Sequence, residues 1–130
     1  MTKPTYQDAT LLVHLAQWQT ASDLPGALCW LWSDRFVPEF DGFARRYPPD
    51  SEGDHRAATI CGYFEAVGAL YKHGLINGDL LFDWLEVAPV WDRIRGYVLG
   101  RRKESGGAPL WVNFEALATA HKRQTREYST

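Results

Sequence analysis

The stretch from Asp54 to Lys103 constrains the fold more than any other part of the chain, because it carries helix stop and start signals in the order of a helical hairpin. An Ala- and aromatic-rich segment ends at Lys72-His73-Gly74. Gly74 is placed as the left-handed residue that closes a helix, and Leu75 follows to fold back on the last turn. Asn77 then reads as the cap of the next helix. Asp79, Asp83 and Glu86 occupy its early turns and Arg101, Arg102 and Lys103 its last, the charge order that a helix dipole favours. Leu81, Trp84, Ala88, Trp91, Arg95 and Val98 mark its inner side, and Pro89 predicts either a kink near Leu85-Glu86 or a restart at the proline itself.

The rest of the chain reads as helix too. Thr5 with Asp8 three residues on resembles a capping box, and it opens a helix over about Tyr6 to Gln19. That helix carries Leu11, Leu12, Leu15 and Trp18 on one side and solvated Gln7, Thr10, His14 and Gln17 on the other. Asp23-Leu24-Pro25 starts a second helix, with proline in the first turn, where a missing N–H does no harm. Cys29, Trp32, Phe36, Phe40, Phe43 and Tyr47 then step by three or four. Pro38 divides this run into two short helices. Periodicity alone does not separate the apolar run Leu28–Trp32 from a buried strand; the flanking pattern favours helix.

Pro48–Gly53 is a polar turn, and Ser51 or Asp54 caps the central helix, whose apolar stripe is Ile60, Phe64, Val67 and Tyr71. The opposite side, Ala58, Gly62, Ala66 and Ala69, is all small. Glycine inside a helix costs on the order of 1 kcal/mol relative to alanine, so this side is expected to admit another helix, from the same chain or a second copy. After Gly106-Gly107-Ala108-Pro109, a short last helix capped by Asn113 carries Trp111, Phe114, Leu117, Ala118 and His121. Lys122, Arg123, Arg126 and Glu127 are expected to fray into solvent.

Length and composition fit one all-α domain over residues 1–130, a bundle of five or six helices with the hairpin at its centre. Six Trp, six Tyr and six Phe predict a core built largely from rings. The apolar runs are too short and too charged to span a bilayer, and no signal-peptide core follows the N-terminus, so the chain reads as cytoplasmic and off the membrane. Cys29 and Cys61 read as buried free thiols.

Chemistry is sparse. No histidine has a second one four residues on, HExxH is absent, and no phosphate-binding glycine loop or nucleophile elbow occurs, so neither a metal nor another cofactor is expected. Charge is asymmetric: residues 1–92 carry 6 basic and 13 acidic side chains, residues 93–130 carry 8 and 3. Arg93, Arg95, Arg101, Arg102 and Lys103 are therefore the candidate binding residues, since arginine holds phosphate bidentately and Trp91 or Tyr97 nearby can stack on a base. Glu65, among small neighbours, is expected to pair with Arg95 of the next helix, because each buried charge needs a partner.

Tyr63-Phe64-Glu65-Ala66-Val67-Gly68, Gly74-Leu75-Ile76-Asn77, Trp91 with Ile94-Arg95, and Pro109 to Leu117 together resemble the helix signatures of small all-helical bacterial families known only as domains of unknown function. The resemblance covers about residues 54–120 and implies an all-helical fold without supplying an activity. The expected function is a non-catalytic protein-interaction or regulatory module, with a protein partner or a homodimer through the Ala/Gly side. The alternatives are a nucleic-acid or anionic-ligand binder using the basic series, and a small hydrolase.

Overall fold

In the computed structural model, which describes residues 3–129, the chain forms α1 (Tyr6–Ala21), α2 (Leu24–Leu31), α3 (Phe40–Arg46), α4 (Glu52–Lys72), α5 (Gly78–Trp84), α6 (Ala88–Glu104) and α7 (Val112–Ser129). The all-helical bundle expected from the sequence is present, but the described residues form seven helices rather than five or six. The difference arises at Pro89. It lies in the first turn of a new helix, α6, while α5 ends at Trp84, so the chain restarts where a kinked continuation was the other option.

Local signals explain most boundaries. Thr5 and Asp8 form the capping box of α1, Ser51 accepts from the Asp54 amide to cap α4, and Asn77 accepts from the Leu80 amide to cap α5. Gly74 takes φ +71°, the left-handed conformation that only glycine adopts without strain. The Leu75 amide then reaches back to the Leu70 carbonyl at 2.9 Å, although the Leu75 side chain stays exposed. Leu28–Trp32 is helical: α2 runs to Leu31 and Trp32 caps it.

The two arms of the expected hairpin are not each other's main partners. α7 lies along α4, α2 packs on another side of α4, α6 packs on α7, α3 on α6, and α1 on α2. α4 and α7 come close at Gly68, where an added Cβ would run into the backbone carbonyl of Asn113 at the start of α7.

Aromatic rings tie the layers together. Trp30, Phe36, Phe43 and Tyr47 form a cluster under α2 and α3. Phe43 meets Tyr97 of α6 at 5.0 Å, and Phe64 stacks on Phe114 at 5.0 Å between α4 and α7. Trp30 and Trp91 are buried, whereas Trp18 and Trp32 are exposed, so the ring-rich core draws on Phe and Tyr more than on Trp. Cys61 is buried, and burial pushes its thiol well above the usual range. Cys29 is exposed, contrary to expectation, because α2 turns that side outward. No helix among the described residues is long and apolar enough to cross a membrane.

Candidate functional site

Three helix starts are tied by side chains from distant parts of the chain, and these ties decide where several candidate residues go. A helix leaves its first amides without partners inside the helix. At α7, the Glu65 carboxylate accepts the amide protons of Asn113 (2.9 Å) and Phe114 (3.0 Å). At α6, His121 Nδ1 accepts the Ala88 amide at 3.0 Å. Before α5, Asp8 accepts the Asn77 amide at 2.9 Å while also accepting from the Thr5 amide at 2.8 Å. Those bonds hold the Asp8 carboxyl below the usual range, the Thr5 amide contributing most.

Glu65 is therefore a cap, and its expected pairing with Arg95 is not formed. No ion pair joins the two among the described residues, and Arg95 is exposed on α6. Trp91 and Val98 of the expected inner side are buried, but the buried stripe of α6 is centred on Ile94, with Val90, Trp91, Tyr97 and Val98 around it, and Arg95 falls just outside it. Asn113 is likewise not the cap of α7: the helix begins one residue earlier, at Val112, after Trp111 in the left-handed region (φ 56°). Nor does the end of α7 fray. Lys122 pairs with Asp92 at 2.6 Å, and the Tyr128 hydroxyl donates to Asp79 at 2.8 Å.

The basic series is divided by its internal contacts. Arg93 donates to the carbonyls of Leu31 (2.9 Å) and Ser33 (3.1 Å) and lies over the Phe36 ring. Arg101 bridges Asp54 and Glu104, each at 2.7 Å, over the rings of Phe40 and Tyr97. Burial pushes the Tyr97 hydroxyl up to about 12. Arg102 donates to the Leu110 carbonyl (2.8 Å) and to Glu115 (2.7 Å), fastening the loop before α7. Arg95 and Lys103 remain exposed, eight residues apart on one side of α6, with half-exposed Leu99 between them.

Neither Trp91 nor Tyr97 is offered to a base, since both are buried. One E-x-x-H spacing does occur, Glu52 to His55 at the start of α4. There Glu52 is held by Arg56 at 2.7 Å, and His55 lies 3.6 Å from Asp50.

The small side of α4 faces outward. Ala58 and Gly62 are exposed, Ala66 and Ala69 half-exposed, and an added Cβ at Gly62 would meet nothing within 4 Å. Among the described residues the main same-chain partners of α4, α7 and α2, lie on its other sides, and none comes within 4 Å of a Cβ placed at Gly62. Between Arg56 and Lys72 the only charged residue of α4 is Glu65, already bonded to α7. Beside this face, Trp18 of α1 stacks on Tyr63 at 4.8 Å and stays 40% exposed.

These features define an all-helical bundle with an uncharged outer helix face and helix ends tied across the fold. The chain belongs to the family described as Domain of unknown function (DUF4760), whose model matches residues 4–121. The match spans α1 to the middle of α7 and includes all three tying residues, Asp8, Glu65 and His121. No curated protein and no solved structure matches the chain.

Proposed function

We propose that the chain is a non-catalytic interaction module that pairs with a second copy of itself through the outer face of α4. The observation that carries this reading is Gly62. A glycine in a helix interior costs about 1 kcal/mol relative to alanine, and Gly68 has an internal reason for being glycine, whereas Gly62 has open space around it. A close approach by a helix of another molecule supplies the missing reason.

The pattern around Gly62 suits a two-fold. Gly62 lies ten residues from each end of α4, and Ala58 and Ala66 lie four residues to either side. An antiparallel crossing at Gly62 sets Ala58 against Ala66 of the second copy and opposes the two helix dipoles favourably. It also brings Glu52 in the acidic first turn towards Lys72 in the last turn of the second copy. Such an interface is self-complementary and closes at two chains.

Sedimentation velocity tests the proposal. The wild-type chain is expected to form dimers at concentrations up to about 100 μM, and Gly62→Leu is expected to sediment as a monomer. Because no described residue of the same chain comes within 4 Å of a Cβ placed at Gly62, the monomer of that variant should also be more stable than the wild-type monomer by up to about 1 kcal/mol, since leucine is the better helix former. A monomeric wild type would overturn the proposal.

The anionic-ligand reading retains Arg95 and Lys103 on the outer side of α6. With two cations, oligonucleotide binding would weaken with salt at a slope of only about −2 on logarithmic axes. Fluorescence anisotropy against salt distinguishes this from a full basic series, and no binding at low salt removes the reading.

A further inference from the structure

We infer that His121 is a proton-sensitive latch that ties the start of α6 to α7. Ala88 is the first residue of α6, and Val87 before it supplies no side-chain cap. The Ala88 amide therefore depends on His121 Nδ1, which accepts it at 3.0 Å. An acceptor nitrogen carries no proton, so the ring proton sits on Nε2. The ring is held parallel to Phe82, with centroids 4.9 Å apart and planes 7° apart, so α5, α6 and α7 meet at this one side chain.

An imidazolium has two donors and no acceptor, and the cap is therefore lost whenever His121 takes a second proton. The cation would also stand at the positive end of the α6 dipole. Other partners are close at hand. His121 is a wall shared by two open clefts, one lined by Glu86 and Asp92 with Lys122 and Arg126, the other by Asp79 and Asp83 with Tyr128. Asp92 is engaged by Lys122 and Asp79 by Tyr128, whereas Glu86 and Asp83 are exposed and in no ion pair among the described residues. Protonation exchanges the Ala88 amide for one of these carboxylates. The Leu85–Val87 joint between α5 and α6 then loses its tie to α7.

The Ala88 amide has no acceptor within its own helix, so its hydrogen-exchange protection follows the bond to His121. Protection should be measured by NMR on the full chain from about pH 7.5 to about pH 5, corrected for intrinsic exchange, while the His121 ring nitrogens are followed in the same samples. Protection at Ala88 is expected to fall about tenfold, with the same midpoint as the His121 nitrogens. In His121→Asn, whose Oδ1 occupies the Nδ1 position and takes no proton, the protection should not depend on pH. Ala88 protection that is unchanged while His121 titrates, or a His121 ring that does not titrate in this range, overturns the inference, and both readouts come from the wild-type chain.

Discussion

Replacing Glu65 tests whether the fold depends on capping across helices. Its Oε1 accepts two amide protons of the first turn of α7, at 2.9 and 3.0 Å, in a half-buried setting. Hydrogen bonds to a charged acceptor contribute about 1.5–3 kcal/mol each, and removal of a cap costs about 0.5–2 kcal/mol in total. The two amides share one oxygen, so the lower ends of these ranges apply. Glu65→Ala should lower stability by about 1.5–3 kcal/mol. Glu65→Gln keeps an acceptor and removes the charge, which leaves a loss of about 1 kcal/mol.

Urea denaturation followed by tryptophan fluorescence gives both values, and the Ala variant should melt about 10 °C lower. Equal losses for Ala and Gln, or a loss below about 0.5 kcal/mol for Ala, would refute the capping argument. Adding Arg95→Met to Glu65→Gln should be additive, since no ion pair joins these residues.

Three further outcomes follow from the same contacts. Gly68→Ala should destabilise the chain by about 1–3 kcal/mol, because the new methyl meets the Asn113 carbonyl where α4 and α7 touch; an unchanged urea midpoint would contradict that packing. Gly74→Ala should cost about 1 kcal/mol through its positive φ, read by the same titration. Asp8 has its carboxyl held low in the folded chain, so its contribution is complete above the ordinary carboxylate range and is lost as pH falls through the depressed value. The midpoint of wild type should therefore decline more steeply than that of Asp8→Asn between about pH 5 and about pH 2, and parallel curves would remove Asp8 as the source.

The sequence made helix ends readable where the signal is local. Thr5 with Asp8, Ser51, Asn77, Gly74 and the prolines at 25 and 89 all act within a turn of themselves, and the structure places helix ends at each. What spacing did not carry is direction. Ala58, Gly62, Ala66 and Ala69 share a side by periodicity, but which side of α4 meets α2 and α7 depends on the whole assembly. The outward position of Cys29 has the same origin, and Arg95 lies just outside the buried stripe of α6 centred on Ile94.

Glu65 and His121 carry no local sign of their roles, since each caps a helix whose start is 33 to 49 residues away. The basic series looked free because its carbonyl and carboxylate partners lie on other elements. Arg93 reaches the end of α2, Arg101 the start of α4, and Arg102 the loop before α7.

The most direct measurement of the central claim is a covalent trap at the supposed two-fold. In a Cys29→Ser background, Gly62→Cys places a thiol on the outer face of α4, and a two-fold at that position brings the two thiols within disulfide reach, with Cα atoms about 4.4–6.8 Å apart. Mild oxidation should convert this variant to a covalent dimer, while a control with Val13→Cys on the exposed side of α1 stays monomeric. A Gly62→Cys variant that cross-links no faster than the Val13→Cys control would contradict pairing through α4.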